Sequence, residues 1–211
     1  MRVKKEGGWQ FWVDIRKDYV IKTPRTKKEI KERVTKYLKS IGELHRKEEI
    51  SRRMMQDLKY STKLIENSKI DPKYFAYLEF LEEGKIKQRK ARVLENLLKT
   101  YSKQKKIKEA KKLFDEFFKF TFLLWGYGLH EKPFKPTQNY GILNGHIVLL
   151  DPFELTANKG KVAKSLKKVK FYLTDKYFGD YPEVIKDYYN KKLREKITLK
   201  NLGKYWKKKL K

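Results

Sequence analysis

The stretch "NYGILNGHIVLLDPFEL", residues 139 to 155, carries an amide, Asn139, and an acid, Asp151, around two aliphatic runs. Between the runs stands Asn144-Gly145, a pair suited to the positive φ values of a type I′ turn, so the spacing predicts a β-hairpin. Asn139 and Asp151 are twelve residues apart, which brings both to the open end of that hairpin. A carboxylate and an amide oxygen are hard donors of the kind that Mg²⁺ accepts. Taken singly, Asn139 also reads as a turn cap and Asp151 as the end of a strand.

The elements that must position this pair follow from the rest of the pattern. Three short strands are expected from "RVKK", "WQFWVDIRK" and "YVIKT", the last ended by Pro24. Helical spacing of Ile30, Val34, Leu38 and Ile41, and then of Ile50, Met54 and Leu58, predicts one long helix or two with a break at Gly42. Past Asp71-Pro72 come a strand, a Glu-Glu-Gly turn and a second strand whose end is ambiguous near Leu94. From about residue 100 the chain reads as helical. Leu113, Phe117 and Leu124 lie on one side of a helix, and Phe114, Phe118, Phe122 and Trp125 on another, which predicts a central, buried helix. A polar loop, "HEKPFKPTQN", leads into the hairpin, and basic helical segments fill the chain from Asn158 onward.

Strands, a helix, strands, a buried helix, a loop ending in Asn, a hairpin and then Asp: in this order, and in "KPTQNYGILNGHIVLLDPF", the sequence resembles the protein-kinase-like superfamily over roughly residues 1 to 160. The resemblance implies an α+β, two-lobed fold. Residues 1–98 would form an N-lobe with a small antiparallel sheet and an inserted helix, and residues 99–211 a reduced helical C-lobe carrying the hairpin. It also implies Mg-ATP as the cofactor, with Asn139 and Asp151 as the metal ligands. Lys22 in "YVIKT" matches the third-strand lysine that meets the α- and β-phosphates. Its partner would be a helix glutamate, Glu49, with Glu43 the alternative, and Gly7-Gly8 would stand for the glycine-rich loop.

The match departs from the family where catalysis is concerned. No aspartate lies before Asn139; according to where an insertion is placed, that position falls on Lys132, Pro133 or Phe134. Glu131 and His130 are then the nearby proton acceptors, and Lys135 matches the lysine that follows the missing aspartate. Pro152 replaces part of the usual Phe-Gly after the metal-binding aspartate. A general base contributes about 10²–10⁴ in rate, so its loss is compatible with a weak or atypical phosphotransferase and equally with a pseudokinase. In size and irregularity the chain is similar to small bacterial kinase-like proteins of the lipopolysaccharide-kinase and PhoP-regulated groups.

Composition narrows the alternatives. With no cysteine, disulfides, zinc-thiolate sites and thiol nucleophiles are excluded. No segment has the eighteen or so uncharged apolar residues of a spanning helix, so a cytoplasmic location is expected. A net charge of +28, most of it lysine, points to a polyanionic neighbour such as RNA, DNA, a phosphorylated glycolipid or a nucleotide. The competing reading is a non-catalytic nucleic-acid-binding protein in which Tyr172, Tyr177, Tyr205 or Trp206 stacks on bases.

Overall fold

Short runs of β-branched and aromatic residues between tight turns build the first layer of the molecule. The computed structural model describes residues 3–5, 8–168 and 178–207. Strands β1 (Val3–Lys5), β2 (Phe11–Ile15), β3 (Tyr19–Pro24), β4 (Glu79–Phe80) and β5 (Ile86–Arg89) form one antiparallel sheet in the order β1-β2-β3-β5-β4. Lys22 on β3 pairs across to Val13 on one side and to Ile86 on the other, which places it in the middle of the sheet.

Pro24 ends β3, and Thr26 then opens helix α1 (Lys27–Ser40). Its side chain accepts from the Glu29 backbone while Glu29 reaches back to the Thr26 backbone, a capping box. Ile30, Val34 and Leu38 bury one stripe of α1. Gly42 adopts φ +70° and turns the chain, so the helical pattern forms two helices, with α2 spanning Lys47–Glu66.

The strand that begins after Gly84 does not continue to Leu94. β5 stops at Arg89, paired with Tyr19, whereas Arg92 and Val93 form β6 and pair with Ile142 and Gly141. Lys90-Ala91 therefore links two sheets, and helix α3 (Leu94–Lys103) starts directly after β6, earlier than the pattern from residue 100 suggests. Helix α4 (Ile107–Gly126) is the central helix that its aromatic residues predict: Phe114, Phe117, Phe118 and Trp125 are all buried.

The hairpin is β8 (Tyr140–Leu143) with β9 (His146–Leu149), and Asn144 (φ 49°) with Gly145 (φ 79°) forms its turn. A shorter pair, β7 (His130–Glu131) with β10 (Leu155–Thr156), flanks it. Helices α5 (Lys159–Leu166), α6 (Glu183–Lys196) and α7 (Leu199–Tyr205) complete an α+β architecture packed around α4. Among the described residues no helix is long and apolar enough to cross a membrane.

One glycine fixes how closely the hairpin approaches the linker. A Cβ at Gly141 would lie 2.9 Å from the Arg92 carbonyl oxygen and 3.0 Å from a Leu150 methyl group. The first is closer than real Cβ contacts come, and that neighbour is backbone; the second is tight but is a side-chain methyl. Gly141→Ala is expected to destabilise the protein by about 1–3 kcal/mol, measured as a lower midpoint in urea denaturation. An unchanged midpoint would show that the 92–93 strand is free to move away.

Candidate functional site

The hairpin ends meet as their spacing requires. The Asn139 carbonyl oxygen accepts from the backbone N–H of Leu150 at 2.7 Å and of Asp151 at 3.4 Å, which holds the two termini side by side. Above them comes β3. Lys22 Nζ donates to the Leu150 carbonyl oxygen at 2.6 Å and lies 3.9 Å from Asp151 Oδ1, with the Phe153 ring 5.6 Å below it. The Lys22 side chain is 11% exposed and the Asp151 side chain 42%, so the cation is sheltered and the anion faces solvent. Burial pulls the Lys22 pKa below its ordinary value, and the Asp151 charge partly opposes that.

The described end of the β1–β2 loop, residues 8–10, runs beside this pair. A Cβ on Gly8 would lie 3.7 Å from Asp151 Oδ2, so the backbone of residue 8 runs beside the carboxylate. Arg25 holds the loop there. Its Nε donates to the Gly8 carbonyl oxygen at 3.3 Å, its backbone N–H to that of Gln10 at 2.8 Å, and its guanidinium stacks 3.6 Å from the Trp12 ring. Gly7 lies outside the described residues.

Next to Lys22 opens a cleft of about 800 Å³ between the sheet and α3. Val13, Ile15 and Val20 form its apolar sheet wall, with Leu97 and Leu150 also lining it. Six cationic side chains line it, Arg16, Lys17, Lys22, Arg89, Lys90 and Arg92, and among the described residues no carboxylate does. An apolar slot rimmed by cations suits a flat, uncharged ring system attached to phosphates.

The helix glutamates are not at Lys22. Glu49, half-exposed at 53%, is bound by Arg46 Nε at 3.4 Å, and Glu43, the alternative, by Arg46 Nη1 at 2.7 Å. Both belong to the turn where α1 gives way to α2, and Arg46 holds them there. The α2 stretch that approaches the site lies further along: Ser61 Oγ accepts from the Leu155 N–H at 2.9 Å, and Asp57 pairs with Lys132 Nζ at 2.5 Å. The Lys22 ammonium is satisfied instead by Leu150 and Asp151.

The two proton acceptors are not open to the cleft either. His130 is 3% exposed; its Nδ1 accepts from the Trp125 indole at 3.1 Å and its ring stacks on Phe134. Burial lowers its pKa to about 4, which keeps the ring neutral. Glu131 is 1% exposed. Its Oε1 accepts from Asn139 Nδ2 at 2.6 Å and its Oε2 from the Tyr140 hydroxyl at 3.4 Å. Burial raises the Glu131 pKa to about 8, against the opposing hydrogen bond from Asn139. Both residues face inward because β7 is covered by α4 on one side and by β10 on the other. Glu131 is thus a positioning residue: by taking the Asn139 amide N–H it fixes which way that amide points.

Lys135 stays at the site. Its backbone oxygen accepts from the Asn139 N–H at 3.3 Å, and its charge acts on both Glu131 and Glu154. Glu154, three positions after Asp151, also lies at the site although no motif marks it. Its pKa is raised by burial first and by the Asp151 charge second, and Lys135 and Lys132 act against them. No local signal marks Asp57 or Arg25, since their partners lie far along the chain. No group of three or more His, Asp or Glu able to hold a metal occurs among the described residues. A divalent ion here would rest on the Asp151 carboxylate and the Asn139 amide oxygen, with the remaining ligands drawn from phosphate and water, a set that fits Mg²⁺.

No protein-family model matches the chain, and no curated protein matches it significantly.

Glu131 and His130 give opposite pH dependences. As pH rises from 4.5 to about 8, the unfolded chain releases the Glu131 proton while the folded protein keeps it, so stability falls over that window. As pH drops from 6.5 toward about 4, the unfolded chain protonates His130 while the folded protein does not, so stability falls on the acid side as well. Glu131→Gln keeps an acceptor for Asn139 and removes the titration. It is expected to flatten the alkaline-side loss, on the order of 2–4 kcal/mol, in denaturation measured across this range. An unaltered slope would mean that Glu131 is ionised in the folded protein.

Proposed function

We propose that this chain is a kinase-like protein that holds Mg-ATP in the cleft beside Lys22, and that its phosphoryl-transfer activity is weak or absent. One observation carries the reading: the Lys22 ammonium from the middle of the sheet meets the end of the hairpin, 128 residues away in sequence, at 2.6 Å from the Leu150 carbonyl and 3.9 Å from Asp151. A cation, a solvent-facing carboxylate and an amide oxygen beside an apolar slot are the parts that bind the phosphates, the metal and the base of a nucleotide. The order of elements supports the same reading. A sheet with a central lysine, the 90–91 linker, a buried helix, the hairpin and the aspartate follow one another as in the two-lobed fold.

In this reading Asp151 and Asn139 hold Mg²⁺, Lys22 meets the phosphates, and the residue 8–10 backbone covers them. Weak or absent transfer follows from the burial of Glu131 and His130, the acceptors nearest the place of the missing base. Charge neutralisation by Lys22 and the metal would remain, and that supplies most of the help phosphoryl transfer receives. A purely nucleic-acid-binding reading draws on the net charge of +28, but Tyr205 is already stacked on Phe122 at 4.4 Å and 9°. Trp206 packs against the main core, and Tyr172 and Tyr177 lie outside the described residues.

ATP with Mg²⁺ at about a hundred times its Kd is expected to stabilise the protein by about 2.7 kcal/mol, read as a rise in the thermal midpoint. Lys22→Met and Asp151→Asn should each abolish that rise. Because the Lys22 charge is held against its burial, Lys22→Met should leave the ligand-free midpoint unchanged or higher. No shift with millimolar nucleotide, in metal or without it, ends this reading.

A further inference from the structure

The corner between α1 and α2 supplies no side chain to the nucleotide site, and three large apolar residues are exposed on it. Tyr37, Ile41 and Leu44 are 41%, 47% and 45% exposed. Tyr37 and Ile41 are four residues apart and share a helix face. Gly42 then turns the chain, and Leu44 follows at the tip. A Cβ on Gly42 would meet nothing within 4 Å, so the corner projects into open space. Tyr37 leans against the fold, while Ile41 and Leu44 project from it.

Beside the tip runs a shallow groove of about 650 Å³ along the same helix, lined by Lys28, Lys31, Lys36, Lys39 and Lys47 with the single acid Glu32. Lys31 is paired with Glu48, but among the described residues Lys28, Lys36 and Lys39 form no ion pair. An apolar tip flanked by unpaired lysines matches the interface of a bilayer that carries anionic headgroups. The apolar side chains enter the headgroup–acyl boundary, and the ammonium groups stay at the phosphates. A convex tip suits a deformable lipid surface better than a rigid protein groove.

We propose that this corner docks the protein on anionic membrane surfaces. The tip also connects to the nucleotide site. The Tyr37 ring meets Trp9 edge-on at 5.1 Å, and Trp9 follows Gly8, whose Cβ position lies 3.7 Å from Asp151 Oδ2. The docking itself does not depend on nucleotide binding, and the two tests fail separately.

The test is co-sedimentation with phosphatidylcholine vesicles made with and without phosphatidylglycerol. Binding is expected only with the anionic lipid. The double variant Ile41→Asp/Leu44→Asp should lower partitioning roughly tenfold or more, and Lys36→Glu/Lys39→Glu should do the same. Lys103→Glu/Lys108→Glu, with the same charge change on another exposed segment, should retain most of it. All these positions are on the surface, and an unchanged thermal midpoint verifies that each variant is folded. Three results would overturn the proposal: no binding to anionic vesicles, binding that survives the Ile41/Leu44 change, or a dimer in solution that this change dissolves, which would give the tip to a second copy of the chain.

Discussion

A buried ammonium fixes how the N-terminal sheet meets the end of the hairpin. Lys22 rises from the centre of a sheet made within the first ninety residues, and its hydrogen bond ends on a backbone carbonyl just past the hairpin. A desolvated cation cannot be left without partners, so the sheet has to sit where Leu150 and Asp151 can reach it. That requirement also explains why Asp151 keeps its carboxylate toward solvent: Lys22 is already satisfied by a carbonyl, and the aspartate remains available to a ligand.

Beneath the hairpin a second polar arrangement does a different job. Glu131, Asn139 and Tyr140 form a buried network, with His130 held next to it by Trp125 and Phe134. Nothing in it is open to solvent except by way of Asn139. Such a network orients one amide rather than moving protons, and the low pKa of His130 and the high pKa of Glu131 are consequences of the same burial.

The parts of the site that the sequence made legible are those governed by neighbours in the chain. Asn144-Gly145 sets the hairpin turn, and the hairpin then brings Asn139 and Asp151 together whatever surrounds them. Pro24, Thr26 and Glu29 place the end of β3 and the start of α1, and Gly42 breaks the helical run. Lys22 was legible because it lies on a short apolar strand. Glu49 was misplaced by the same logic: helical periodicity gives the face of a helix but not how far along it the next layer makes contact. That contact falls at Asp57 and Ser61, about two and three turns later. No local pattern marks Gly141, because its need for a missing Cβ comes from the Arg92 carbonyl on another strand.

By itself the sequence determined the elements, their order and the chemical types gathered at the hairpin's open end, because turns, caps and periodicity act over a few residues. Only the tertiary structure decided which of those groups stay open to solvent. Glu131, His130 and Asp151 are all titratable and close in sequence, yet α4 and β10 bury the first two and leave the third open. Burial depends on what packs from elsewhere in the chain, and it decides whether a carboxylate holds a neighbour in place or meets a ligand.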